Sequence, residues 1–486
     1  MSDEPERLKV LICQILSHID WLKEFNVDTK RFMQLIGIAG TGEPMSEEFV
    51  TSRGKIQQAV TLLLALFRRV ENKSALLPHV VPFVKAVVAI ACNLNEMWDP
   101  AFRCICNPSL SEKIYSSASD LDKLHLLEYT LSSKGTRKTQ AIDSKIQNFL
   151  WSVHESVFTV FGCAFSFLRP DVYSESACFL NTLEKCHFLP RMKLKLIVKH
   201  FLKPFVQNSP LEPDSLQRTI DPLFSSFLPW LFRHVDEGWD AVRAPDDQPP
   251  DEDRLHDEII NEQANRLLAR ELADLFQCLL LASAKGSCLV PESSDALMDV
   301  DSASSVALES DIHLSPICRH LIQKHLISLV SMTVGALIWS DSLVNQRFVL
   351  VNKLLLKELI EMRLISTVDD VSFIVHHVFL ALRLFGESEQ NQSALLQLTL
   401  VVYEQLAKNY GDDMRAPFSR LSQSQESGWA KFHQTLIQPS VSGTAIVNDK
   451  KKKDALRSLL SGLFVVSFPC YHPFYRSNPL FDTFFP

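Results

Sequence analysis

Three lysines in the stretch "RMKLKLIVKHFLKPF" (residues 191–205) have a spacing that could bind phosphate groups. Lys195, Lys199 and Lys203 lie at positions i, i+4 and i+8, so they share one face if the stretch is helical, and apolar residues fall on the other side. Like charges at this spacing repel by about a few tenths of a kcal/mol per pair, and the stretch contains no acidic residue. A phosphate-bearing partner would relieve this repulsion, but a lysine face kept for solubility fits the sequence equally well.

A second basic run, "NDKKKKDALRSLLSG" (448–462), lies near the end of a chain whose net charge is -8. Its four consecutive lysines precede a segment with the apolar spacing of an amphipathic helix. Taken alone, such a run is typical of a solvated helix start or of a weak nuclear localisation signal. Its charge does not decide between these interpretations and a contact with nucleic acid.

Other residue types give little support for catalysis. The chain has no GxSxG, P-loop or HExxH motif. Cys318, His320 and His325 in "CRHLIQKH" could be taken for a metal site, but histidines at i and i+5 do not share a helix face. We therefore predict no metal site, no cofactor and no enzymatic activity.

Cysteine spacing and the N-terminal sequence indicate the cellular compartment. The 11 cysteines are scattered without a CxxC pair, which is typical of reduced intracellular thiols. The acidic N-terminus does not resemble a secretory signal, and apolar runs such as "AVTLLLALF" are shorter than the roughly 20 residues that cross a bilayer. We expect a protein of the cytoplasm or nucleus that does not insert into membranes.

The elements that would position these lysines are helices. In "TSRGKIQQAVTLLLALFRRVEN" the apolar residues recur at helical spacing, at Ile56, Val60, Leu63, Leu64 and Phe67. Similar segments follow one another along the whole chain, and 14 glycines are few for a sheet protein with many tight turns. The pattern predicts an all-α fold, a HEAT-repeat α-solenoid built as a superhelix of antiparallel helix pairs, with one large helical bundle as the competing architecture.

Two polar segments divide the predicted repeats. Residues 240–258 are acidic and rich in proline, and 285–311 are acidic and rich in serine, so we predict a loop in the first and a disordered loop in the second. We assign HEAT-like repeats to 52–239 and 312–463, and one long repeat helix to 259–284. Solenoids of this kind usually bind other macromolecules on an extended surface.

The segment "NEQANRLLARELADLFQCLLLASAKG" (261–286), followed by its acidic loop, resembles the exportin-5 family of karyopherins. Segments 63–86, 193–204, 221–239 and 447–462 resemble successive parts of the same family in the same order. The similarity extends from about residue 60 to about residue 460 and corresponds to the C-terminal portion of the family's receptors.

The resemblance implies a nuclear export receptor that encloses a double-stranded RNA hairpin together with RanGTP and shuttles between nucleus and cytoplasm. Its implied cargo is structured RNA, with microRNA precursors first and transfer RNA as a further candidate, and nucleoporins are implied partners. The family also carries Arg or Lys at the positions of Lys193, Lys195, Lys199 and Lys203. Candidate RNA contacts are Lys193, Lys195, Lys199, Lys203, Lys450, Lys451, Lys452, Lys453, Arg68 and Arg69.

The two ends of the chain depart from the family. Receptors of this family are longer, so residues 1–51 are expected to be a partial repeat of a truncated chain. The N-terminal repeats that hold most of the family's RanGTP contact are expected to be absent from it. The segment 464–486 is an aromatic, proline-containing tail unlike the family's polar C-terminus. A different class of protein also fits the repeats, namely a HEAT scaffold that assembles protein partners without nucleic acid.

Overall fold

Helices form where apolar residues recur at helical spacing, and they make up nearly all the regular structure described. The structure is a computed structural model. It describes residues 4–40, 43–71, 73–127, 142–167, 173, 176–243, 252–283, 312–386, 388–411, 416–422, 426–437 and 445–461. By its internal contacts the chain divides into a first unit, Met1–Arg233 with Ile259–Leu329, and a second unit, His234–Glu258 with Val330–Pro486.

The helices that precede the acidic segment are α1 Glu4–Ser17, α2 Thr29–Leu35, α3 Glu47–Arg69, α4 Lys73–Glu96, α5 Pro100–Arg103, α6 Pro108–Ile114, α7 Asp120–Leu127, α8 Ile142–Phe167, α9 Ser176–Glu184, α10 Arg191–Ile197, α11 Lys203–Gln207, α12 Pro213–Thr219 and α13 Leu228–Arg243. Two π-helical segments lie among them, π1 Val198–Leu202 and π2 Leu223–Phe227. A 3₁₀ segment, Asp20–Glu24, follows α1.

The helices that follow are α14 Glu252–Leu280, α15 Pro316–Lys324, α16 Leu326–Gly335, α17 Ser342–Glu361, α18 Val368–Phe385, α19 Glu389–Tyr410, α20 Ala416–Ser422, α21 Glu426–Ile437 and α22 Ala445–Leu459. A second 3₁₀ segment is Ala336–Ile338. Strands β1 Leu281–Ser283 and β2 Ile312–Leu314 pair antiparallel, with Leu281 opposite Leu314.

The core of the first unit is built around α8, which packs against α3, α4 and π1. Most of the predicted apolar face of α3 is buried as its spacing indicates. Aromatic rings fill the contact of α8 with π1 and α11, with centroids 4.9–6.0 Å apart, and they belong to Phe158, Phe161, Phe165, Phe201 and Phe205. These phenylalanines are core residues and do not form a surface for stacking bases.

One glycine permits the close approach of α8 to π1. Gly162 faces the backbone of His200, and a Cβ at this position would come within 2.2 Å of the His200 carbonyl oxygen. No larger residue fits there unless the backbone moves. This contact fixes the segment that carries the candidate lysines against the core of the first unit.

The second unit is a series of helices packed on their neighbours in the chain. Helix α19 contacts α17, α18 and α22, and α21 also contacts α22. An aromatic cluster in this unit has ring centroids 5.1–5.8 Å apart and consists of Tyr403, Phe418, Trp429 and Phe432. Helix α18 begins with a capping box between Thr367 and Asp370, which satisfies backbone amides at the helix start.

These features confirm the prediction of an all-α fold of the HEAT solenoid type. The predicted loop 240–258 differs from the structure, because α13 includes residues 240–243 and α14 begins at Glu252. The predicted long helix 259–284 accordingly starts earlier and ends at Leu280, where the β1–β2 ribbon follows. The predicted loop 285–311 and the tail 464–486 lie outside the described residues.

Across the described ranges, no single helix is both long and apolar enough to cross a bilayer. One bent pair, Pro316–Lys324 with Leu326–Ile338, reaches that length and hydropathy only when its two parts are taken together.

Candidate nucleic-acid interface

The predicted lysine face lies on a helical segment that changes its winding midway. Residues 191–197 and 203–207 are α-helical, and the π-helical residues 198–202 lie between them. A π turn takes more residues than an α turn, so the spacing i, i+4, i+8 no longer keeps all three lysines in one line. Lys199 is exposed, Lys195 is half-buried, and Lys203 is turned toward α14. We use the name lysine face for Lys195, Lys199 and Lys203.

Lys193 does not belong to this surface. Its side chain is 2% exposed, and its Nζ lies 4.2 Å from the ring centroid of Trp151 and 5.8 Å from that of Trp98. Burial lowers the pKa of Lys193 to about 7, although the charge of Asp122 acts in the opposite direction. The candidate RNA contact at Lys193 is therefore an interior side chain packed against tryptophan rings.

Lys203 has an acidic neighbour that the sequence spacing did not indicate. Its Nζ lies 3.8 Å from Oδ2 of Asp274 on α14, and both side chains are largely buried. Burial also raises the pKa of Glu271, one turn earlier on α14, whereas the charges of Lys199, Lys203 and Lys195 lower it. The repulsion within the lysine face is therefore offset by carboxylates from another helix.

Arg68 is placed near the lysine face by the fold. Arg68 and Arg69 occupy the exposed last turn of α3. Burial, together with the charges of Lys199, Lys195 and Arg68, lowers the pKa of His200 to about 4. Arg68 thus lies within electrostatic range of the same helical segment, although it is 127 positions from Lys195 in the sequence.

The second basic run forms the middle of α22 in the second unit, and we call its four lysines the α22 cluster. Lys450 and Lys451 are exposed. Lys452 donates from Nζ to Oε1 of Glu404 at 2.7 Å, and Lys453 donates to Oε1 of Gln397 at 3.2 Å. Two lysines of the α22 cluster therefore tie α22 to α19, and two point into solvent.

The histidines that suggested a metal site converge on one carboxylate. His320 Nε2 lies 2.7 Å from Asp221 Oδ1, and His325 Nε2 lies 3.2 Å from the same oxygen. The two rings meet although positions i and i+5 do not share a helix face, because α15 ends at Lys324 and His325 lies in the turn after it. Within the part of the chain that the structure describes, no group of three or more His, Cys, Asp or Glu is arranged to hold a metal ion.

Sequence reasoning missed that Glu271 and Asp274 lie beside the lysines. Spacing on α14 predicts the ion pairs Glu262–Arg266 and Arg270–Asp274 within the helix, and the first of them is present at 2.8 Å. The contact of Asp274 with Lys203 joins residues 71 positions apart. Only the packing of α14 beside α10 and α11 brings these charges together, so no local pattern could have revealed them.

Comparison with known proteins finds two similarities. The family described as Exportin-5 matches the chain over residues 30–467. Human exportin-5 is 24% identical over 338 residues, which cover 65% of this chain and 27% of the human protein. The matched region thus spans about a quarter of the length of the curated relative.

Proposed function

The chain belongs to the exportin-5 family, and we propose that it is part of a nuclear export receptor that binds structured RNA together with RanGTP. Exportins are transport receptors, and the proposed activity is binding and release without chemistry on the cargo. The observation that carries the RNA-binding part of the proposal is that Lys195, Lys199 and Arg68, from different helical segments of the first unit, all act electrostatically on His200, and that Lys199 and Arg68 are exposed.

The chemistry of this surface suits a phosphate backbone. Lysine ammonium groups are flexible point charges that pair with phosphate oxygens and carry no base specificity. The major groove of A-form RNA is too narrow for side chains, so duplex RNA is recognised through its phosphates, its 2′-hydroxyls and its shape. A helical protein surface with spaced lysines therefore matches a double-stranded hairpin such as a microRNA precursor.

Family membership supports the remaining parts of the proposal. In the nucleus the receptor would bind RanGTP and hairpin RNA together, pass the pore through nucleoporin contacts, and release its cargo in the cytoplasm after Ran hydrolyses GTP. Transfer RNA is a further candidate cargo of the same shape class. The protein would thus shuttle between nucleus and cytoplasm.

The test is a binding assay with the full chain and a labelled hairpin RNA bearing a short 3′ overhang. We expect the hairpin to bind more tightly than a single strand of equal length, and RanGTP to strengthen the complex more than RanGDP does. A blunt hairpin measures the contribution of the overhang. Equal affinity for hairpin and single strand, with no effect of the Ran nucleotide, would contradict the proposal.

A protein-binding scaffold is the second candidate, and the internal use of several lysines favours it. Lys193 is buried, Lys203 lies near Asp274, and Lys452 is paired with Glu404. Fewer cations then remain for phosphate than the sequence suggests. A scaffold predicts that partner proteins recovered with the chain persist after nuclease treatment and are independent of the nucleotide bound to Ran.

A further inference from the structure

The helical segment that carries the lysine face lies beside α14 along several turns. At its start, Met192 and Leu196 pack in one apolar cluster with residues of α14, namely Ile260, Ala264 and Leu267. Further along, Lys203 lies near Asp274, and at its end Gln207 Nε2 lies 3.4 Å from Cys278 Sγ. Both segments therefore run in the same direction, and their side chains meet in sequence order.

Within this line of contacts, apolar pairs give way to charged ones. Lys199 and Lys203 follow the apolar cluster on one side, and Glu271 and Asp274 follow it on the other. Lys203 and Asp274 are 19% and 15% exposed, so water screens their interaction less than it would on an open surface. Asp274 therefore acts on Lys203 at short range in a partly desolvated environment, and the charges of Lys199, Lys203 and Lys195 act on Glu271.

From this arrangement we propose that Glu271 and Asp274 are internal counter-ions that limit how strongly the lysine face binds phosphate. This inference rests on the proposed RNA-binding function of that face. A phosphate that approaches Lys199 or Lys203 must compete with a carboxylate already in place and is repelled by its charge. The two acids thus lower the affinity for phosphate, and change its salt dependence, without contacting the ligand.

Further charged residues lie around these acids and lysines. Lys195 and Lys199 contribute to the field at Glu271, and Arg270 occupies the neighbouring position on α14. On the other side, His200 Nε2 lies 3.7 Å from Glu155 Oε1 of α8. The surface therefore combines cations with nearby acids, and the acids keep its net charge low.

The test measures how tightly the full chain binds a short hairpin RNA at fixed salt when one acidic side chain is replaced by its uncharged amide. We expect Glu271→Gln and Asp274→Asn each to raise affinity by about threefold and both together by about tenfold, because each removes one repulsive charge. Glu389→Gln is the control, since this exposed residue of α19 lies in the second unit and changes the net charge equally. The control should leave affinity unchanged.

A coupling measurement separates a local effect from a general one. Asp274→Asn should strengthen binding when Lys203 is present and should have a smaller effect in a Lys203→Met background, because Asp274 lies 3.8 Å from the Lys203 ammonium and competes with phosphate for it. Thermal melting of each variant checks folding. If the double acid variant does not fold, Glu271→Gln alone and the Lys203 background still decide the question.

The outcomes distinguish this inference from the function on which it rests. Tighter binding by the acid variants, with the control unchanged, supports the counter-ion role. If the acid variants bind as the wild type does while Lys195→Glu with Lys199→Glu weakens binding, the counter-ion role is overturned and RNA binding stands. If the lysine changes also have no effect, both are overturned.

Discussion

The first and second units each carry a lysine cluster, and the protein uses the two clusters differently. In the first unit, Lys193 is buried against tryptophans and Lys203 lies beside an aspartate of a neighbouring helix. In the α22 cluster, Lys452 and Lys453 are hydrogen-bonded to residues of α19, and the other two lysines are exposed. Each cluster therefore contains lysines whose side chains contact other residues of the protein.

The difference lies in what surrounds the remaining cations. Lys195 and Lys199 are one turn apart, lie within range of Arg68, and have the carboxylates of α14 close by. Lys450 and Lys451 are consecutive, so on a helix they point about 100° apart and do not present one face. We therefore expect the first unit to provide an organised phosphate surface, and the α22 cluster to provide a more diffuse charge.

The largest effect should come from charge reversal on the lysine face. Lys195→Glu with Lys199→Glu should lower the affinity for hairpin RNA by about 100-fold, because each reversal replaces an attraction by a repulsion, a change of about 1.4 kcal/mol per lysine. The measurement is a filter-binding titration at low salt. Lys123→Glu with Lys145→Glu, on α7 and α8, is the charge-matched control. An equal loss of affinity in both double variants would show that the lysine face is not a specific RNA contact.

The next effect concerns stability and distinguishes the buried Lys193 from its exposed neighbours. The pKa of Lys193 is lowered to about 7, whereas the unfolded chain keeps a lysine protonated to about pH 10. Between these values the unfolded state binds more protons, so the free energy of unfolding should rise with pH, by about 2 kcal/mol from pH 7 to pH 9.

Lys193→Met should abolish this rise, because it removes the titrating group and keeps an apolar stem of similar size. Denaturant unfolding at several pH values measures the effect, and Lys195→Met is the matched control that should keep the rise. An unchanged pH dependence in Lys193→Met would show that Lys193 is not the buried titrating group.

A smaller loss of binding is expected from the α22 cluster. Lys450→Glu with Lys451→Glu should lower hairpin affinity by about tenfold, less than the change on the lysine face, because these exposed side chains are screened and diverge. The same titration compares the two variants directly. A loss larger than that from Lys195 and Lys199 would reverse the comparison.

The smallest effect should come from the ion pair that ties α22 to α19. Lys452→Met should lower the free energy of unfolding by about 0.5 kcal/mol, because the pair with Glu404 is short but partly exposed. Hairpin affinity should change little. A clear loss of affinity with unchanged stability would instead assign Lys452 to the ligand.

The helical fold could be predicted from the sequence because it depends on local periodicity. The apolar face of α3 and the phenylalanines of α8 are buried where helical spacing places them. Which lysines are exposed and able to contact phosphate could not be predicted in the same way. It depends on the π1 segment, which shifts Lys203, and on the placement of Trp151 and Asp274 by helices distant in the sequence.

The same limit explains the paired histidines. Their spacing is read correctly as i and i+5, but helix α15 ends one residue before His325, and the turn brings its ring to Asp221. Helix ends are set by capping and packing as well as by composition. Patterns therefore locate helices well and locate contacts between helices poorly.

The most direct test of the phosphate surface is the salt dependence of hairpin binding by the wild type and by Lys195→Gln with Lys199→Gln. Each phosphate contact contributes about 0.7 to 0.9 to the slope of log affinity against log salt concentration. If both lysines contact phosphate, the slope of the variant should be shallower by about 1.4 to 1.8. Parallel lines for the two proteins would contradict the proposed role of the lysine face.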